Sequence, residues 1–386
     1  MADRDAVRRA AQHVDHSLHE VTPRTWPERP RVTVFVPTYN EEAAIEGCLQ
    51  AILAQDYPAE LTEILVVDGQ STDRTRARVE GLMAALATPT GTTRPSLRLL
   101  SNPDRDLAAA WNIAAHKATG DAICLVVAHS FIAPDYLRSA VCHLGEGSAD
   151  VVGGPARMVG ETPTSKAVAA AMSSPFGVGG SVYRYKGDAP NIASVANAIY
   201  PLGLLREFLP FDRSIGRGED WELHYRMRQQ GVRFAQFADI RHEFHARGTL
   251  GQLWRQQAAY ARSKVIIIRK HSRDAVRLTH FVPAAFVLWV LLGGVAAGLL
   301  PAWRTPWLGG LGLYVGADLV ASALAAARHG WGLLPRLPVT FLCMHLSYGL
   351  GMLGGLLGAV TPTAAGPHAP RERTTPDGRD TGDRAP

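Results

Sequence analysis

Polar and apolar positions follow two different regimes along this chain, and the change falls near Ser263. Before it, short β-branched runs alternate with stretches of helical spacing, the pattern of a soluble α/β domain. Val32 to Val36 is one such run, ending in Pro37, and Glu63 to Val67 is another, ending in Asp68 and Gly69. Between them, Asn40-Glu41-Glu42 is followed by apolar residues at Ala44, Ile45, Cys48, Leu49, Ile52 and Leu53, which predicts a helix with acids in its first turn. The three pieces form a βαβ unit. Ser71-Thr72-Asp73 reads as an N-cap opening the next helix. Further strands are predicted at Leu97 to Ser101, Ala122 to Val127 and Arg233 to Phe237.

After Ser263 the pattern becomes that of a bilayer. Phe281 to Leu300 holds no charged residue, Trp307 to Ala327 holds only Asp318, and Leu337 to Val360 holds none. A spanning helix needs roughly 20 apolar residues, and each segment has them. One such segment could be a buried hairpin of a soluble domain, but three in succession favour membrane spans. Lys264, Arg269, Lys270, Arg273 and Arg277 against Asp274 precede the first span, which the positive-inside rule places in the cytoplasm together with the soluble domain. Arg328 and Arg336 after the second span agree, the loop after the first has only Arg304, and three spans leave the C-terminus outside. The implied location is the inner (plasma) membrane. The Gly-rich stretch Gly349 to Gly358 suggests close helix packing. Asp318 and His345 either pair with each other inside the spans or serve a function there.

The chain has 386 residues, 47% hydrophobic and 19% charged, with a formal net charge of +5. That apolar fraction excludes a wholly disordered chain, and the small, dispersed basic excess argues against a nucleic-acid partner. Cys48, Cys124, Cys142 and Cys343 form no CxxC pair, so reduced thiols and no zinc site are expected. Met1 to Pro30 is charged and lacks the apolar core of a secretory signal. The tail from Thr363 onward, rich in Pro, Gly and Thr, reads as disordered.

No GxGxxG or Walker lysine loop is present, which removes support for a dinucleotide dehydrogenase or a P-loop enzyme. Parallel strands bind ligands at their carboxyl ends, where this chain has Thr38, Tyr39, Glu42 and Asp68. An aromatic ring and a carboxylate there suit a nucleotide held by its base, although Thr and Asp also form turns.

The strings VFVPTYNEEAAIEGCLQAILAQDYP, EILVVDGQSTDRT, NPDRDLAAAWNIAAHKATGDAI and GEDWELHYRMRQQG, in this order, resemble the family 2 glycosyltransferases. Within that family the likeness is to the succinoglycan-biosynthesis group of bacterial exopolysaccharide enzymes, which SSPFGVGG and the C-terminal spans also resemble. The resemblance covers roughly Arg31 to His271. It implies an α/β, Rossmann-like A-type glycosyltransferase domain, followed here by a C-terminal bundle of about three transmembrane helices. It also implies inverting transfer of a sugar from a nucleotide sugar, commonly a UDP sugar, to an acceptor hydroxyl, with a divalent metal, Mn or Mg, on the diphosphate. Pro37, Thr38, Tyr39 and Glu42 match the nucleotide loop, Asp68 the uracil-binding carboxylate, and Arg105 a nucleotide contact. Asp220, the second member of the Glu219-Asp220 pair, matches the catalytic base. A carboxylate there can take the acceptor proton as the oxygen attacks; acids at a helix start can also simply favour its dipole.

Two departures qualify this picture. Where the family carries an Asp-x-Asp or Asp-Ala-His element, this chain has Leu125 to Ser130, with Val127 at the first Asp and His129 at the metal-ligand position. His245 is a possible second ligand, and imidazole binds manganese less well than carboxylate does. The Gln-x-x-Arg-Trp element of processive synthases is also absent. With only three spans, this favours one sugar per encounter. Arg262 and Lys264 could assist the diphosphate or bind lipid head groups. The expected organisation is a charged extension at 1–30, a transferase domain at 31–263, a basic juxtamembrane segment at 264–280, transmembrane helices at 281–360 and a tail at 361–386. Two functions stay open: a membrane-anchored transferase acting on a lipid-linked or glycan acceptor, and a non-catalytic relative that binds a nucleotide sugar or a partner enzyme.

Overall fold

The computed structural model describes residues 26–87 and 93–358. Most of the expected N-terminal extension and all of the expected tail lie outside them.

Strand β1, Val32–Thr38, and strand β2, Thr62–Asp68, pair in parallel, joined by helix α1, Ile45–Leu53. Both strands are buried on both faces. Val34 and Val36 pack with Ile45, Leu49 and Ile52 on one side, while Phe35 faces Trp111 on the other. That two-sided burial is why the runs read as continuously apolar rather than alternating. Helix α2, Thr75–Ala87, and strand β3, Ser96–Ser101, extend the sheet at one edge. At the head of α2 it is Asp73 that caps, accepting from the Thr75 N–H at 2.9 Å, while the Ser71 hydroxyl turns to Asp68.

Helix α3, Leu107–Lys117, leads to strand β4, Ala122–Leu125, shorter than the expected run to Val127. The chain leaves the main sheet there and enters β5, Ser130–Ile132. Helix α4, Tyr136–Gly145, precedes β6, Val151–Gly154, and β7, Ala156–Val159. Helices α5, Pro163–Met172, and α6, Pro175–Val178, are followed by β8, Ala196–Pro201, α7, Leu202–Glu207, and α8, Glu219–Gln229. Two short strands close the domain: β9, Phe234–Gln236, and β10, His242–His245. The main sheet runs β3-β2-β1-β4-β8-β6-β9, with only β8 antiparallel to its neighbours, and a second sheet runs β5-β10-β7.

Four long helices complete the structure. Helix α9, Leu250–Lys270, runs as one piece through the position expected to divide the transferase domain from the juxtamembrane segment. Helices α10, Val282–Leu299, α11, Pro301–His329, and α12, Leu337–Leu356, are each long and apolar enough to cross a membrane. Apart from Tyr39 and Trp254, every large apolar side chain exposed among the described residues lies between Leu278 and Leu357, the distribution expected of lipid-facing surfaces. The loop expected after the first span is reduced to Leu300. Arg304 lies instead in the first turn of α11 and donates to the Ala297 carbonyl at 3.0 Å.

Asp318 and His345 do not pair. Asp318 accepts from Ser322, whereas His345 meets the Tyr314 hydroxyl and, through Nε2, the Phe176 carbonyl at 2.9 Å. Phe176 belongs to the SSPFG segment, and its ring packs edge-on against Phe341 of α12. That segment therefore docks the α/β domain on the spans.

Helix α9 provides the second junction. A Cβ added to Gly351 of α12 would sit 2.6 Å from the Ala258 carbonyl oxygen and 2.7 Å from its Cα, both backbone atoms of α9. The Gly-rich stretch thus serves close packing. We predict that Gly351→Val separates the two helices and destabilises the protein by at least about 1–3 kcal/mol, the usual cost of overpacking. Thermal unfolding in detergent checks it; an unchanged midpoint would mean that the helices do not meet this way.

Candidate functional site

The carboxyl ends of β1 and β2 bring together five of the six residues assigned to the nucleotide. Pro37 and Thr38 lie level with Val67 and Asp68 in the parallel register. Asp68 is fully buried. Its oxygens accept from the Thr38 hydroxyl at 3.2 Å, the Ser71 hydroxyl at 2.6 Å and the Ser71 N–H at 3.1 Å, and Arg76 stands 3.5 Å away. Tyr39 is exposed, with the Arg105 guanidinium 5.7 Å from its ring centroid, and Arg105 also donates to Gln70 at 3.3 Å. Glu42 stands slightly apart, accepting from the Arg74 N–H at 2.9 Å and so tying the β1 loop to the start of α2.

Backbone strain concentrates at the same place. Asn40, Gln70 and Arg105 adopt φ of 54°, 58° and 57°, three of the five non-glycine residues with positive φ among those described. Each costs on the order of 1–3 kcal/mol and persists only where its surroundings enforce it. Three loops held in this way present one aromatic face and one guanidinium to solvent, an arrangement suited to a planar base and a phosphate.

His129 follows β4, and its Nδ1 lies 3.3 Å from Glu41 of the β1 loop. Sequence reasoning missed Glu41, although its place beside Glu42 was visible. Strand β10 pairs antiparallel with β5 through Phe244 and Ser130, which sets His245 at the neighbouring sheet position rather than at a distant end of the domain. His245 itself meets Glu161 at 3.3 Å and the edge of Phe131. Among the described residues, no three His, Cys, Asp or Glu side chains gather to hold a metal ion. Val127 contributes only its carbonyl, which accepts from the Ser130 N–H. When Nδ1 of His129 carries the proton towards Glu41, Nε2 is left as one oriented donor. That fits a single protein ligand of a metal completed by phosphate oxygens, not a self-standing centre.

Glu219 and Asp220 open α8 after Gly218, which adopts φ +92° at the N-cap, a conformation that favours glycine. Both acids receive main-chain donors: Glu219 from the Gly218 N–H at 2.9 Å and Asp220 from the Trp221 N–H at 2.7 Å. Burial and then the neighbouring Asp220 charge push the Glu219 carboxyl upward. Burial also raises Asp220, opposed by the charges of Lys264 and Arg184. Lys264, on α9, stacks its ammonium 3.7 Å over the Trp221 ring, and burial lowers it to about 7. Arg262, the other basic residue weighed from the sequence, is exposed. Behind the pair, His224 is buried between the Ser194 hydroxyl at 2.8 Å and the Tyr200 hydroxyl at 2.6 Å, and burial lowers it to about 3, so it is neutral.

Three comparisons relate the chain to known proteins. Residues 33–207 match the family profile described as glycosyl transferase family 2. The chain is 24% identical to a dolichyl N-acetyl-alpha-D-glucosaminyl phosphate 3-beta-D-2,3-diacetamido-2,3-dideoxy-beta-D-glucuronosyltransferase of Methanococcus voltae, over 84% of this chain and 97% of that one. It is 26% identical to the succinoglycan biosynthesis protein ExoA of Rhizobium meliloti, over 84% and 94%. Among solved structures, a mannosyltransferase of Pyrobaculum calidifontis in complex with GDP-Man and Mn2+ superposes with a TM-score of 0.54 at 23% identity, covering 86% of this chain and 88% of that one.

The buried Asp68 carboxylate organises the first cluster. Asp68→Ala would leave the Thr38 and Ser71 donors without their acceptor and should cost about 1–3 kcal/mol. Denaturant unfolding measures it, and a loss below about 0.5 kcal/mol would mean that the loops are held by other contacts.

Proposed function

We propose, from the premise that this chain belongs to the family 2 glycosyltransferases and acts on a nucleotide sugar, that it is a membrane-anchored inverting enzyme serving a lipid-linked acceptor at the cytoplasmic face of the plasma membrane. The observation that carries this reading is Asp220: a half-buried carboxylate at the start of α8, flanked by Lys264 of the helix that packs on the last apolar helix.

On this reading the donor base stacks on Tyr39, its N–H groups meet Asp68, and Arg105 reaches the phosphates, with Pro37, Thr38 and Glu42 shaping the loop. UDP is the favoured nucleotide. Asp220 accepts the proton of the acceptor hydroxyl as that oxygen bonds to the anomeric carbon. The bond from that carbon to the diphosphate breaks on the opposite face, and the nucleoside diphosphate leaves with the electron pair. Glu219 acts as a positioning residue, holding the Gly218 turn that sets the start of α8. A divalent metal, Mn or Mg, when bound, neutralises charge on the leaving group. His129 would be its protein ligand, oriented by Glu41, and His245 lies close enough in the sheet to support it.

The lipid-linked acceptor is supported by the three apolar helices and by the Methanococcus relative, whose name specifies a dolichyl phosphate-linked acceptor. The positive flank from Lys264 to Arg277 supports a cytoplasmic catalytic domain.

Asp220→Asn should retain nucleotide affinity and lower turnover by about 100-fold or more, the range for a lost general base. Near-normal turnover removes the mechanism. A base raised by burial is lost as pH falls through its elevated pKa, so the acid limb of kcat should lie above the ordinary carboxylate range near 4. Removing the Lys264 charge in Lys264→Met should move that limb to still higher pH, because Lys264 opposes the upward shift alongside Arg184 while burial drives it. A limb that stays in place or moves down would separate Asp220 from the pH dependence.

For the metal, chelator should slow transfer, and Val127→Asp should tighten Mn2+ dependence by restoring an oxygen ligand. If transfer ignores chelator and His129→Ala transfers normally, the site works without a metal.

A further inference from the structure

We propose that Arg184, Arg228, Lys264 and Arg277 form a subsite for the phosphate of the lipid-linked acceptor, between Asp220 and the first membrane span. This rests on the transferase reading above and adds to it the group by which the acceptor is held.

Two of the four cations meet on one indole, and the other two lie on the loops beside it. The Lys264 ammonium lies 3.7 Å and the Arg228 guanidinium 5.9 Å from the Trp221 ring, whose Nε1 donates to the Ala275 carbonyl at 2.9 Å. Arg277, two residues further, donates to the Gly180 carbonyl at 3.0 Å, on the same loop as Arg184. Arg184 meets the Met158 sulfur at 3.5 Å and lies over the Tyr183 ring. Arg228 donates to the Ala193 carbonyl at 2.8 Å. Among the described residues none of the four has a carboxylate within ion-pair distance.

Their charges nevertheless act on one another. Burial and then the Arg277 charge depress Arg228, and burial lowers Lys264 to about 7, with Asp220 opposing the drop and Arg228 adding to it. Four half-buried or loop-held cations set against one raised carboxyl pair leave a positive excess that is costly to maintain without an anion. A phosphate would relieve it through charge-assisted hydrogen bonds, the guanidinium forks suiting its oxygens.

Location decides which phosphate. Arg184 follows the SSPFG segment docked on Phe341 and His345 of α12. Lys264 rides on α9, whose backbone touches Gly351 of the same span. Arg277 immediately precedes the first span, and His280 beside it bonds the Tyr348 hydroxyl of α12 at 3.1 Å. Arg184, Lys264 and Arg277 are therefore carried by segments that pack against the last apolar helix or lead into the first, a setting in which a lipid phosphate would be met. The donor cluster has its own cations, Arg76 and Arg105, at the carboxyl ends of β1 and β2. A lipid phosphate held by the four would hang its sugar beside Asp220.

The test is a binding titration of the full chain in detergent with farnesyl phosphate, farnesol, inorganic phosphate and UDP or GDP. Farnesyl phosphate should bind at least about tenfold more tightly than farnesol or inorganic phosphate. The double variant R184Q/R277Q should weaken farnesyl phosphate by about tenfold or more, roughly the effect of one lost charge-assisted contact. R184K/R277K should recover part of that loss. Nucleoside diphosphate affinity should be unchanged, which also certifies the folded domain. Equal binding of farnesol, or of inorganic phosphate, would overturn the assignment to a lipid phosphate. A variant that weakens UDP or GDP instead would assign the cations to the donor. Because no turnover is required, this outcome is independent of whether Asp220 is the base.

Discussion

One helix has to satisfy two surroundings at once, and much else follows from it. Along Leu250–Lys270, Ala258 accepts the close approach of Gly351 from the last span, while Lys264, further along, turns its ammonium to Trp221 and the charge of Asp220. A helix is stiff over this length, so the depth of the spans and the position of the acidic pair are mechanically linked. Removing glycine from the contact would shift the helix bodily, and with it the cation that opposes the rise of Asp220. The SSPFG segment adds a second clamp through Phe176, so the α/β domain cannot pivot freely about α9.

The donor side is organised on a different principle. There the constraint is local strain, with Asn40, Gln70 and Arg105 held in left-handed backbone by hydrogen bonds to Ser71, by the Gln70–Arg105 contact and by the stack on Tyr39. A fully buried Asp68 anchors this because its oxygens serve both β-loops. The strand pair beneath is apolar on both faces and gives no room for the loops to relax inward. On the proposed reading, the site combines a rigid, strained donor end with an acceptor end tied to the apolar helices.

The fold was legible where periodicity was strong. β1, α1 and β2 read correctly because their apolar runs are buried on both faces, and three long apolar helices stand where three spans were expected, because a segment of some twenty apolar residues is itself the signal. β4 was read too long: Val126 and Val127 have strand-like side chains, but the chain turns there into a second sheet, a tertiary decision that local pattern does not encode. The pairing of Asp318 with His345 was an inference from chemistry alone, and the span geometry gave each a different partner. Within the site, the strand-end residues were visible as motif letters. Trp221, Arg184 and Arg228 were not, because their meaning arises only when α8, α9 and the 180s loop converge. The single available hint was an indole inside an otherwise charged helix.

The distribution of charge gives the two ends a common logic. On the proposed reading the enzyme brings two phosphate-bearing substrates together, and their repulsion has to be overcome. On the same reading, Val127 just after β4 leaves the donor end with no carboxylate at that position to repel an incoming diphosphate. It also concentrates unpaired cations at the membrane side of Asp220. On the proposed reading, both features lower the cost of assembling the same complex: one omits a repulsive group, the other supplies attraction. At the acid between them, Asp220, Lys264 and Arg184 oppose the rise that burial imposes. The groups that would hold the acceptor phosphate are therefore groups that favour the ionised base, and binding of the phosphate would partly screen them. On the proposed reading that coupling would raise the basicity of Asp220 as an acceptor hydroxyl arrives beside it.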